Sequence, residues 1–92
     1  MEYFEYALCF KALGDETRVK IIEMLKNSSM CACKILEQFK ITQPTLSYHM
    51  KMLVDCGLVN VEKNGIWNHY TINKVQFNNL SNFIELKNMV TK

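Results

Sequence analysis

Ninety-two residues, 49% hydrophobic and 22% charged, with three Gly and one Pro, describe a single folded domain and exclude a long linker or disordered tract. A domain of this length buries only about 60–65% of its unfolded surface, so a second subunit would reinforce a modest core. The formal charge of +2 is too small to mark a nucleic-acid partner by bulk excess, and no stretch nears the roughly 18 uninterrupted apolar residues of a membrane span.

The chain begins MEYFEYALCFKAL, with two acids among its first five residues and no basic segment before an apolar one, so it does not read as a signal peptide. The expected location is the cytoplasm, with no membrane partner. In that reducing compartment Cys9, Cys31, Cys33 and Cys56 are expected as free thiols, and clustered thiols point to metal or redox chemistry rather than to a disulfide scaffold.

Residues 2–13 carry apolar side chains almost all round a helical wheel, more than the single stripe of a surface helix, which predicts cover on two sides. Gly14 ends that helix and Asp15 caps a second, in which Val19, Ile22 and Leu25 recur at helical spacing up to Lys26. Asn27-Ser28-Ser29 breaks the pattern. After MCACK, Ile35, Leu36 and Phe39 predict a third helix of about two turns. Thr42 or Gln43 caps a fourth, which tolerates Pro44 in its first turn and closes at Gly57. Its Leu46, Met50, Leu53 and Val54 share one face, opposite Thr45, Tyr48 and Lys51, with Ser47 on the flank. Two short helices joined around Lys40–Gln43, the second opening with polar side chains, match a helix-turn-helix with its recognition helix second.

Residues 58–63 and 66–72 favour strands, and Asn64-Gly65 between them is a strong hairpin signal, so a β-wing follows. A final helix from about Lys74 to Met89 opens with an Asn73-x-x-Gln76 capping box, and its Val75, Phe77, Leu80, Phe83, Ile84 and Leu86 again exceed one stripe. The expected architecture is therefore mostly α with a β-hairpin wing, a winged helix-turn-helix in the order α-α-α-α-β-β-α. It forms one domain over residues 1–92, homodimeric through its terminal helices, about 2–13 and 74–90.

The order ALGDETRVKIIEML, then CxC in CACKILEQF, then QPTLSYHMKMLVDCGLV and an NG wing resembles the ArsR/SmtB winged-helix repressors, and among them the arsenical-resistance repressors, over nearly the whole chain. The resemblance implies a dimeric repressor that leaves double-stranded operator DNA on binding trivalent arsenic or antimony and needs no cofactor to bind DNA. Cadmium or lead is the alternative inducer. Histidine and carboxylate ligands of the kind that zinc sensors carry on the last helix are missing from VQFNNLSNFIELKNMV, apart from Glu85.

The chemistry agrees with that likeness. Thiolates select soft ions, so Cys31 and Cys33 are the candidate ligands. On a regular helix they stand about 200° apart, so capture of one guest by both sulfurs is expected to unwind the helix head. The position three residues after the CxC, where some relatives carry a cysteine, is Leu36; Cys9, ahead of Cys56, is the candidate third thiol. For DNA, Gln43, Thr45, Ser47, Tyr48 and Lys51 are the candidate recognition-helix contacts, with Lys63 and Asn64 on the wing. His49 reads as a hydrogen-bonded structural imidazole, and His69 as a solvated strand residue or a phosphate contact rather than a metal ligand. A small thiol-dependent reductase is the rival reading, disfavoured because MCACK follows a turn and lacks a phosphate-cradling loop.

Overall fold

The computed structural model describes residues 1–85 and orders them as α1 (Tyr3–Leu13), α2 (Glu16–Leu25), β1 (Met30–Cys31), α3 (Ala32–Leu36), α4 (Gln43–Asp55), β2 (Val59–Asn64), β3 (Trp67–Ile72) and α5 (Lys74–Ile84). This is the expected winged helix-turn-helix. The continuation of the last helix to about Met89, including Leu86, lies outside the described residues.

Local chemistry sets most boundaries. The Asp15 carboxylate accepts from the Arg18 amide at 3.1 Å to start α2. The Thr42 hydroxyl accepts from the Thr45 amide at 3.3 Å to start α4, which places Gln43 and Pro44 in the first turn, where a missing amide proton costs nothing. Asn73 accepts from the Gln76 amide at 3.2 Å, but the expected capping box at α5 is only half formed. The Gln76 side chain turns away and donates to the Cys56 carbonyl at 3.0 Å. That carbonyl lies at the end of α4, next to Gly57, whose φ of +85° a side chain would strain.

Cys9, Ala12, Ile21, Leu25, Ile35, Leu46, Met50, Leu53, Leu58 and Val59 form the core, joined by Tyr70 and Leu80. In α2 the buried face is Arg18, Ile21, Ile22 and Leu25, so Val19, expected inside, is 51% exposed. Arg18 takes an inward position because its donors are satisfied. Its Nε donates to the Ala12 carbonyl at 2.6 Å and its Nη1 to Nδ1 of His49 at 2.8 Å, with Asp15 Oδ2 3.9 Å from the same imidazole nitrogen. Arginine only donates, so His49 accepts at Nδ1 and carries its proton on Nε2. This cluster bolts the recognition helix to α1 and α2, the structural role expected of His49.

Two features differ from the sequence reading. The wing is one hairpin of a three-stranded antiparallel sheet in the order β1-β3-β2, because Met30 pairs with Tyr70 and Cys31 with His69. A two-residue strand is too short to carry a periodicity, so it leaves no signal in the sequence. The hairpin turn also sits one residue further along than expected. Asn64 pairs with Trp67, leaving Gly65 (φ +68°) and Ile66 as the loop. Glycine first with a second residue at negative φ suits the right-handed twist of a two-residue hairpin and spares Asn64 a positive φ. Ile66, expected in a strand, is instead 85% exposed at the wing tip.

Candidate nucleic-acid interface and thiol site

Burial of Leu46, Met50 and Leu53 turns the other side of α4 outward, and Gln43, Thr45, Ser47, Tyr48 and Lys51 are all exposed. They do not form one uniform strip. Gln43 and Ser47 flank a cavity of about 70 Å³ between α4, α3 and the wing, which Ala32, Met50, Trp67 and Tyr70 also line. Thr45 and Tyr48 lie on the far side. The Thr45 hydroxyl accepts from that of Thr42 at 3.0 Å, and Tyr48 sits edge-on to His49 with ring centroids 5.8 Å apart. Lys51 is held by Asp55, one turn further along α4, at 2.8 Å; this pair is solvated, so it is weak and a phosphate can compete for the ammonium. Lys63 and Asn64 are exposed at the end of β2, next to the turn.

The thiol site lies at the other end of the helix-turn-helix. Cys31 is the last residue of β1 and the N-cap of α3, with extended backbone (φ −77°, ψ 156°), and its Sγ accepts from the Lys34 amide at 3.4 Å. Cys33 lies in the first turn. Contrary to the expectation of four free thiols, Cys31 and Cys33 are joined as a disulfide, with Cα atoms 5.3 Å apart. The expected divergence of about 200° does not arise, because it applies to two helical residues and Cys31 is not helical. The sulfurs therefore meet with Cys31 extended and α3 beginning at Ala32. Two sulfurs brought this close, once reduced, fit a single soft atom, which would hold them roughly 4 Å apart at bond lengths near 2.3 Å.

Cys9 and Cys56 remain free thiols and both are buried. Cys9 is fully enclosed, 3.4 Å from the Cys56 carbonyl, with Gln76 Nε2 3.9 Å from its sulfur. Burial, and then the neighbouring Cys56, push its thiol up to about 11. The Cys31–Cys33 pair, by contrast, is half-exposed. Sequence reasoning also gave no weight to the neighbour that Cys31 does have, His69 across the β1·β3 ladder. Its signal was the two-residue strand, which only the folded sheet reveals. The backbone amide of Arg18, assisted by the guanidinium of Arg18, holds the Asp15 carboxyl below the usual carboxylate range.

Comparison with known proteins puts this geometry in context. Residues 15–61 match the family described as "Bacterial regulatory protein, arsR family". The chain is 47% identical over 74 residues to an uncharacterized HTH-type transcriptional regulator of Methanocaldococcus jannaschii, covering 78% of this chain and 83% of that one. It is 45% identical over 73 residues to an arsenical resistance operon repressor of Staphylococcus xylosus, covering 79% and 70%. Among solved structures, an ArsR-like transcriptional regulator from Rhodococcus sp. RHA1 superimposes with a TM-score of 0.79 at 27% identity, over 97% of this chain and 82% of that one. The thiol-reductase reading gives way, since the matched segment runs from the cap of α2 through the CxC and the recognition helix into β2. The chain belongs to the arsR family of bacterial regulatory proteins: it is a winged helix-turn-helix transcriptional regulator and not an enzyme.

Proposed function

We propose that the protein is a homodimeric repressor that binds operator DNA through α4 and the wing and releases it when trivalent arsenic or antimony is captured by reduced Cys31 and Cys33. The observation that carries this reading is the convergence of those two sulfurs at the head of α3, the first helix of the helix-turn-helix. The likeness to arsenical resistance repressors favours a metalloid over cadmium or lead. Gln43, Thr45 and Ser47 are positioned to reach base edges, while Tyr48, Lys51, Lys63 and Asn64 suit phosphate oxygens.

Dimerisation is supported by the faces left open on the terminal helices. Tyr3, Phe4, Leu8 and Phe10 of α1 and Val75, Phe83 and Ile84 of α5 are exposed, and Tyr6 stacks on Phe83 with ring centroids 3.9 Å apart. The two helices thus present a continuous apolar surface, of the kind obligate homodimers bury. A second copy would set two recognition helices for half-sites about one helical turn apart or a multiple of it.

Coupling needs no helix melting. Ala32, between the two cysteines, lines the same cavity as Gln43 and Ser47, so spreading the sulfurs around a guest shifts the wall against which α4 rests. A coupling of about 3 kcal/mol lowers DNA affinity roughly 150-fold. The test is a gel shift on the chain's own upstream DNA, with reduced protein titrated with arsenite, antimonite, cadmium and zinc. Release by arsenite that survives Cys31→Ser combined with Cys33→Ser would refute the site.

A further inference from the structure

The register of the sheet places a third donor type beside the thiols. Cys31 is the cross-strand partner of His69, and His69 in turn is the partner of Glu62, so a thiol, an imidazole and a carboxylate form one row across all three strands. Directly opposed residues point to the same face, with Cβ atoms about 4.5–5.5 Å apart. That face is the outer one. The neighbouring pair, Met30 and Tyr70, turns inward, with Tyr70 buried and Met30 packed on the core. On the outer side Ser29, Asn60, Glu62, His69 and Thr71 border a hollow of about 410 Å³.

We infer that His69 is the third protein donor of the Cys31–Cys33 site and that Glu62 orients it, so that the site, besides binding a metalloid through its two sulfurs, takes a tetrahedral divalent ion of the borderline-soft class, such as zinc, cadmium or cobalt. This rests on the reading of Cys31 and Cys33 as ligands and extends it. Trivalent arsenic prefers sulfur alone, and Leu36 supplies none. Two thiolates with one imidazole are the donor mixture that zinc-like ions accept, leaving a fourth position for water. The order of the row matters as well. With His69 in the middle, one ring nitrogen can face the sulfurs while the other donates to Glu62, the arrangement that fixes the tautomer of a metal-bound histidine.

Among the described residues no three His, Cys, Asp or Glu side chains are grouped to hold one ion, and Cys31 and Cys33 are joined to each other. Two equivalents of a small thiol reduce the Cys31–Cys33 bond, giving two cysteine thiols and one reductant disulfide. Metal binding then releases the two thiol protons, and His69 must turn toward the sulfurs to complete the set. An ion so held would clip β3 of the wing to the head of α3. Wing and recognition helix would then respond to the same guest.

The test uses the full chain, reduced and freed of reductant under anaerobic conditions, with cobalt(II) as the probe and cadmium(II) in competition. Wild-type protein is expected to show thiolate-to-cobalt charge transfer together with the strong visible bands of tetrahedral cobalt. His69→Ala is expected to keep the charge transfer, lose the tetrahedral bands and bind cobalt on the order of 100-fold more weakly, and Glu62→Gln on the order of 10-fold more weakly. Arsenite affinity is expected to be unchanged in both, with far-ultraviolet circular dichroism confirming the fold and His69→Asn as a second variant. Identical spectra and affinities for wild type, His69→Ala and His69→Asn overturn the role of His69 and leave the thiol pair standing. Charge transfer that persists in Cys31→Ser combined with Cys33→Ser overturns the thiol pair itself.

Discussion

The chain holds two pairs of cysteines, and the fold gives them opposite chemistry. Cys31 and Cys33 sit half-exposed where a strand becomes a helix, joined to each other and facing an imidazole across the ladder. Cys9 and Cys56 lie 47 positions apart in the sequence and meet in the core, where the sulfur of Cys56 lies 3.3 Å from the Leu53 carbonyl and Gln76 closes over Cys9. What separates the pairs is access to water: a thiol pushed up to about 11 stays protonated and behaves as a small apolar residue, whereas the Cys31–Cys33 pair is half-exposed.

The contrast can be broken most sharply by alkylation of reduced, folded protein. Cys31 and Cys33 are expected to react at rates on the order of 100-fold or more above Cys9, whose modification should follow only unfolding, by mass spectrometry of peptides. Equal rates would mean that Cys9 is not enclosed as described. The next effect is functional. Serine at both Cys31 and Cys33 should abolish the roughly 150-fold arsenite response in a gel shift, while Cys9→Ala and Cys56→Ala should preserve it.

Stability should show the reverse pattern. Cys9→Ser places an extra polar group in an enclosed site and is expected to cost about 1–3 kcal/mol, lowering the melting temperature by several degrees, whereas Cys33→Ser should change little. Acid should reveal the bolt between α2 and α4. Because the carboxyl of Asp15 is held below its ordinary value, its contribution is complete above that value and is lost as pH falls through the depressed one. Asp15→Asn should flatten that part of the acid unfolding curve. The smallest expected effects are electrostatic: Lys51→Ala and Lys63→Ala should each reduce the salt slope of operator binding by about one unit, with no change in inducer response.

Much of the fold was legible before the structure. Asp15, Thr42 and Asn73 announced three helix starts, the spacing of Leu46, Met50 and Leu53 announced the buried face of α4, and Asn64-Gly65 announced a hairpin. Each is a local matter of backbone donors, periodicity or turn sterics, and each survived to within a residue or so. Where a local signal admitted two outcomes, packing chose. Gln76 completes a capping box by spacing, yet its side chain serves the Cys56 carbonyl instead. The hairpin likewise slid one position so that only glycine carries positive φ.

Sequence alone determined the order of elements, the polar face of the recognition helix and the presence of two neighbouring thiols, because these depend on residues within a few positions of one another. Tertiary structure decided that Cys31 is extended rather than helical, that His69 and Glu62 stand in line with it, that Arg18 is buried against His49, and that Cys9 is sealed against Cys56. Those relations join residues 31 to 47 positions apart, apart from the cysteine at the strand's end. They exist only once a two-residue strand has found its partner and the helices have closed over the core.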